Sequence, residues 1–217
     1  MPRPPRSKKE IALEKEKIMK MAVELINDEG FEQFNMRKLG KRLGIAAKTI
    51  YNYYKNKDEL YLTILANGFQ ELLDQCIIAS KKISNPIDQL IAMGKAYIEF
   101  GITQSHYYNL MFTWNVPKYN DYANTSLENL ARVELNTSLA LFERFITIIR
   151  KAKPDICDED ASFYVIFFWS VVHGYISGYN NTLLNYMHHD PLSIKERIME
   201  TMITHIRKEF FSLEGKS

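Results

Sequence analysis

The stretch over 31–60, FEQFNMRKLGKRLGIAAKTIYNYYKNKDEL, constrains the fold more than any other part of the chain. Met36, Leu39 and Leu43 recur at helical spacing, and Ile50 and Tyr54 do so after Ile45, which gives two short helices one inward face each. Neither helix is long enough to be stable alone, so neighbouring helices must hold both. Asn35 is placed to cap the first, predicted over 36–43, and Gly44 stands where a left-handed residue ends it and opens the turn. Gly40 lets a neighbouring helix come close. The second helix, predicted over 47–53, opens without a capping side chain because Ala46 and Ala47 stand there, so the packing of Ile50 and Tyr54 must anchor it. Asn56 then caps a further helix from Lys57, whose first turn carries Asp58 and Glu59 in accord with the helix dipole. Arg37, Lys38, Lys41, Arg42, Lys48 and Lys55 fall mostly off the inward faces. That is the pattern of a helix-turn-helix that docks on DNA.

The charge distribution points the same way. The whole chain carries a formal charge of only +2, but residues 1–57 hold 14 Lys and Arg against 7 Asp and Glu, leaving 14 against 19 for 58–217. A basic head of +7 suits a polyanion, and a body of −5 does not. The first nine residues, MPRPPRSKK, read as an extended basic arm with Arg3, Arg6, Lys8 and Lys9, free to track phosphates, to enter a minor groove or to stay solvated. No apolar segment follows that resembles a signal peptide, and Cys76 and Cys157 are the only cysteines, so a cytoplasmic location is predicted.

Length and apolar content suffice for a proper core. Ile18, Met21, Ala22, Leu25 and Ile26 predict an amphipathic helix over 10–28, ended by Gly30. The helix from Lys57 is expected to reach residue 84, with Leu65, Phe69, Leu72 and Cys76 on one face, as a mechanical link between head and body. Pro86 suits the first turn of a helix over 86–103, and Ser105 opens a short one. The segment 114–120, from Trp114 past Pro117, reads as loop. Further helices are predicted over 121–151, 158–182 and from Pro191 to Phe211. The stretch 163–175 is apolar nearly all round, which predicts burial on several sides, as between a core and a second subunit. Its longest apolar run is about half of what a membrane span requires, so no membrane partner is expected. No strand signal occurs, and the fold class is all-α.

With these residues in view, the first sixty positions resemble the TetR family of bacterial transcriptional regulators. The likeness is carried by Ala22, Gly30-Phe31, Arg37-Lys38-Leu39-Gly40, Leu43-Gly44-Ile45, Ile50-Tyr51, Tyr53-Tyr54, Lys57 and Leu60. Trp169, His173 and Gly174 further resemble the Trp-His-Gly signature of one class of C-terminal domains in that family. Two positions depart from the pattern: Ala46 replaces a common capping serine, and Lys48 replaces a frequent glycine. The resemblance implies a three-helix helix-turn-helix DNA-binding domain over 1–56 and a larger helical effector-binding and dimerisation domain over 57–217, with helix 57–84 linking them. It assigns DNA contact to Arg37, Lys48, Thr49, Tyr51, Tyr53 and Lys57. Its implied partners are a palindromic double-stranded DNA operator, a second copy of the chain and a small hydrophobic or aromatic effector. Candidate effector contacts are Tyr97, Phe100, Tyr108, Phe112, Phe167, Trp169 and His173, for each of which ordinary core packing is the competing role. The helices holding 163–175 and 194–211 are expected to form a four-helix dimer interface, and the whole to act as a repressor.

Two other functions compete. An enzyme would need a phosphate loop, a zinc-binding helix or a nucleophile elbow, and GYISG at 174–178 misplaces Ser177 for the last of these. His188, His189 and Asp190 suggest a metal site only as far as polar loop residues ever do, so neither enzyme, metal nor cofactor is expected. The other alternative keeps the DNA-binding head but makes the body an architectural or partner-binding module without an effector.

Overall fold

The structure, a computed structural model, describes residues 6–112 and 116–211, and the side chains only as far as residue 208. Arg3 and Trp114 therefore lie outside the described residues, as does the side chain of Phe211. The described residues are helical, with no strand among them. The nine α-helices among them run α1 (Lys8–Glu29), α2 (Met36–Leu43), α3 (Ala47–Tyr51), α4 (Lys57–Ser80), α5 (Pro86–Thr103), α6 (Ser105–Phe112), α7 (Glu128–Ala152), α8 (Asp158–Asn180) and α9 (Ile194–Phe211). Their described residues fall into two compact units: one holds those up to Asn67 with those of 109–135, the other Gly68–Tyr108 with those from Asn136 onward.

In the first unit α1 is the wall on which α2 packs. Ile18, Ala22, Leu25 and Ile26 are buried at the predicted spacing, joined by Val23. The helix begins earlier than the sequence suggested, because Ser7 and Glu10 form a reciprocal capping box that satisfies its first amides. Lys8 and Lys9, assigned by sequence to the arm, thus belong to α1. Gly30 ends α1 at φ 82°, and Gly44 ends α2 in the left-handed region at φ 68°. The Asn35 side chain accepts the Lys38 amide at 3.0 Å. A Cβ on Gly40 would lie 2.8 Å from the Ile45 carbonyl oxygen and 3.1 Å from the Ala47 nitrogen, so this glycine sets how closely α2 and α3 approach. As foreseen, no side chain caps α3. Tyr54 is buried just beyond it, and the Phe31 and Tyr61 rings pack with centroids 4.7 Å apart.

The second unit is built on α5, which contacts both α8 and α9. Gly101 permits the α5 to α8 approach, since a Cβ there would meet Ile176 at 2.6 Å, and the Asn180 side chain donates to the Gly101 carbonyl at 2.9 Å. Several boundaries moved inward. The end of α4 is at Ser80, short of residue 84, where the Ser80 hydroxyl bonds back to the Cys76 carbonyl at 3.0 Å. The start of α7 is at Glu128 rather than 121, because Asn124 sits at φ 61° and 119–122 form a 3-10 turn instead. At its end α8 stops at Asn180, with Thr182 left-handed, and α9 starts at Ile194, just after Ser193 donates its amide and hydroxyl to Asp190.

The predicted burial of α8 on several sides is not met within one chain. Phe163, Ile166, Phe167 and Trp169 are 57, 53, 40 and 39% exposed, while Ala161, Val165, Val172 and Ile176 pack inward. By length and composition α8 could cross a membrane, the one such helix among the described residues.

Candidate functional site

The first unit has an open hollow of about 540 Å³ at α2 and α3, lined by Asn35, Met36, Lys38, Ala47 and two of the predicted contact residues, Arg37 and Tyr51. Met36, Leu39 and Ile50 are buried behind it. Arg37 and Lys48 are exposed, Tyr51 is 51% exposed, and Thr49 and Tyr53 are half-buried. The ammonium of Lys57 lies 4.7 Å from the Phe31 ring centroid, which positions the start of α4 by a cation–π contact and leaves its charge uncompensated.

The cations of this unit divide into two groups. Lys38 pairs with Glu29 at 2.6 Å and Arg42 with Asp28 at 2.5 Å, tying α2 to the end of α1. Arg37, Lys41, Lys48, Lys55 and Lys57 make no ion pair among the described residues. Periodicity could not separate the two groups, because the acids lie across a turn from their partners. Arg6, which the sequence placed in the basic arm without a partner, donates its guanidinium to the Tyr53 hydroxyl and lies over that ring at 6.0 Å.

In the second unit four of the candidate effector contacts come together. The Trp169 indole N–H donates to the Tyr97 hydroxyl at 2.9 Å, that hydroxyl lies 3.5 Å from the Tyr108 hydroxyl, and the latter is 2.8 Å from His173 Nδ1. Trp169 stacks on His173 with centroids 4.8 Å apart. Burial pushes the Tyr97 and Tyr108 hydroxyls well above the usual phenol range and holds His173 below its ordinary value, favouring the neutral imidazole. Phe100 is fully buried on the same helix as Tyr97. Phe167 faces elsewhere, stacked with Phe163 at 6.1 Å and 5.7 Å from His205 of α9. Phe112, at the end of α6, is half-buried and belongs to the first unit. The His188 and His189 rings lie 4.4 Å apart at a tilt of 33°, and His188 bonds the Asp190 backbone.

A buried three-helix support with an exposed basic and phenolic face defines a helix-turn-helix DNA-binding protein. Comparison with known proteins sharpens that class. The family model of bacterial regulatory proteins, tetR family, matches residues 18–64, and that of the tetracyclin repressor-like C-terminal domain matches 90–205. The chain belongs to the TetR family and is a DNA-binding transcriptional regulator; the family's members are transcription factors, not enzymes. The fatty acid metabolism regulator protein of Bacillus subtilis strain 168 is 37% identical over 60 residues, 28% of this chain and 29% of that protein, so the likeness spans less than a third of either. A tetR-family regulatory protein of Rhodococcus RHA1 shares the fold with a TM-score of 0.66 at 18% identity, covering 88% of this chain and 96% of its own. The fatty acid degradation regulator of Bacillus halodurans does so with a TM-score of 0.64 at 14% identity, covering 92 and 97%.

Proposed function

We propose that this regulator is a cytoplasmic dimeric repressor, released from a palindromic operator by a small hydrophobic or aromatic effector. Residues 1–56 form its reading head, 57–217 its effector-binding and dimerisation body, and the helix from Lys57 the lever between them. The observation that carries the reading is the pair Arg37 and Tyr51 exposed around the hollow at α2 and α3, with Lys48 exposed on α3, backed by a buried apolar layer. In this reading Lys48 and Thr49 meet base edges or phosphates at the start of the recognition helix. Arg37 offers its fork to a guanine, and Tyr51, Tyr53 and Lys57 hold phosphates on either side.

The polar ends of Trp169, Tyr97, Tyr108 and His173 supply the few oriented groups that an otherwise apolar effector site requires. Repression and release require that the effector prefer one arrangement of the two heads.

The test is a titration of a selected operator at several salt concentrations. Tyr51→Ala combined with Lys57→Ala should weaken binding across all sequences and flatten the salt dependence. Unchanged affinity and slope would remove these residues from the interface, and an effector that binds without altering operator affinity would sink the release mechanism.

A further inference from the structure

Arg6 precedes every helix of the fold, yet its side chain reaches a residue 47 positions away. Two adjacent tyrosines follow α3 and point apart. Tyr54 is buried, with the Lys15 ammonium of α1 5.4 Å from its ring, whereas Tyr53 is half-exposed and takes the Arg6 guanidinium on its hydroxyl and ring face. The position of Arg6 is set locally. Ser7 is held by its capping box, in which the Glu10 carboxylate accepts the Ser7 amide at 2.7 Å and its hydroxyl at 2.8 Å, so the chain leaves α1 in a fixed direction.

The chemistry of this contact is that of an unfinished site. Tyr53 is a neutral acceptor, so it orients the guanidinium without cancelling its charge. Glu10, whose carboxylate feels the Arg6 charge, bonds to Ser7 instead, and among the described residues Arg6 makes no ion pair. Arg42 and Lys38, by contrast, are spent on Asp28 and Glu29. A phenol oxygen that accepts from arginine still has its own proton to donate, and the guanidinium retains further N–H groups. Two donors held side by side at the end of the recognition helix, one fully charged, match two oxygens of a single phosphate.

We propose that Arg6 is a DNA-contacting residue, its guanidinium and the Tyr53 hydroxyl together clasping one backbone phosphate beside α3. This rests on the DNA-facing surface proposed above and adds to it a cation from outside the helix-turn-helix. Tyr53 is thereby more than a lone hydroxyl, because it positions the arginine that supplies the charge.

Phosphate contacts carry no sequence information, so a mixed-sequence duplex of about 30 base pairs reads the effect by anisotropy across a salt series. Arg6→Ala should bind roughly tenfold more weakly and lower the magnitude of the salt slope by about 0.9, with an unchanged melting temperature. Tyr53→Phe should cost several-fold, and the double variant should match Arg6→Ala alone, because both groups serve one phosphate. An Arg6→Ala protein with unaltered affinity and slope overturns the proposal. So does a loss of affinity without a change of slope, which would make Arg6 a prop for Tyr53, and so do fully additive losses, which would mean separate contacts. The Tyr51 and Lys57 variant measured alongside separates the two readings: if it weakens binding while Arg6→Ala does not, only the clasp fails, and if neither has an effect, the whole face is misassigned.

Discussion

Two glycines of the first unit do different work, and their substitution separates them. Adding a methyl at Gly40 drives Cβ against backbone atoms at 2.8 and 3.1 Å, and backbone cannot step aside as a flexible side chain would. At Gly44 there is nothing within 4 Å, so the only penalty is the left-handed φ of 68°. Gly40→Ala should therefore cost about 2–3 kcal/mol in urea unfolding and Gly44→Ala about 1–2. Equal costs would mean that the close approach of α2 and α3 does not depend on the missing Cβ of Gly40. Both roles were legible in the sequence, because a glycine inside or just past a helix leaves few explanations. The Arg6 to Tyr53 contact was not legible, since nothing local relates residues 47 positions apart. His173 lends itself to a second measurement at this scale. Burial lowers its pKa in the folded chain below the ordinary value of 6.5, so between the two values the unfolded chain binds more protons and stability rises with pH. Its contribution is complete above about pH 6.5 and is lost as pH falls through the folded value. His173→Gln should flatten the fall in unfolding free energy between about pH 7.5 and 5. An unchanged profile would place that dependence on other groups.

Elements were readable from sequence where their ends are set by adjacent residues. Asn35 and Asn56 accept amides of the turns they begin, at 3.0 and 2.8 Å, and α2 and α4 start where those asparagines predicted; α5 starts at Pro86 as expected, with Asn85 accepting the Ile87 amide at 2.8 Å. The start of α7 failed because apolar periodicity continues through residues whose backbone has already left the helical region at Asn124. The helix α3 is the converse case, correctly read as lacking a cap and held by Ile50, which is fully buried. Ala46 has φ −66° and ψ 140°, the extended geometry of an N-cap residue, but has no oxygen to use. Ala46→Ser should then stabilise the protein by about 0.5–1 kcal/mol, read as a higher urea midpoint at constant m. No shift in the midpoint would show that the first amides of α3 are already well solvated.

At the scale of the whole molecule the unsolved surface is the outer face of α8. Phe163, Ile166 and Phe167 share one side of the helix at 57, 53 and 40% exposure, and removing the remaining area of each from water is worth on the order of 1 kcal/mol. The other side packs on α5 and α9, so α8 is already half a bundle. Three acids in its first turn, Asp158, Glu159 and Asp160, suit an aqueous helix start better than a lipid interior. In the dimer proposed above, a second copy of the chain would offer the same face in return, since a twofold axis makes such a contact self-complementary. Phe163→Glu with Phe167→Glu would bring four carboxylates into that contact across the axis, and should leave a monomer at micromolar concentration in sedimentation. Joining two heads makes the second half-site an intramolecular encounter. The monomeric variant should therefore lose about 10²–10⁴ in affinity for a paired operator while binding a single half-site as the parent does. Partition of the parent chain into liposomes, or a variant that remains dimeric, would assign that face of α8 to something other than its twin.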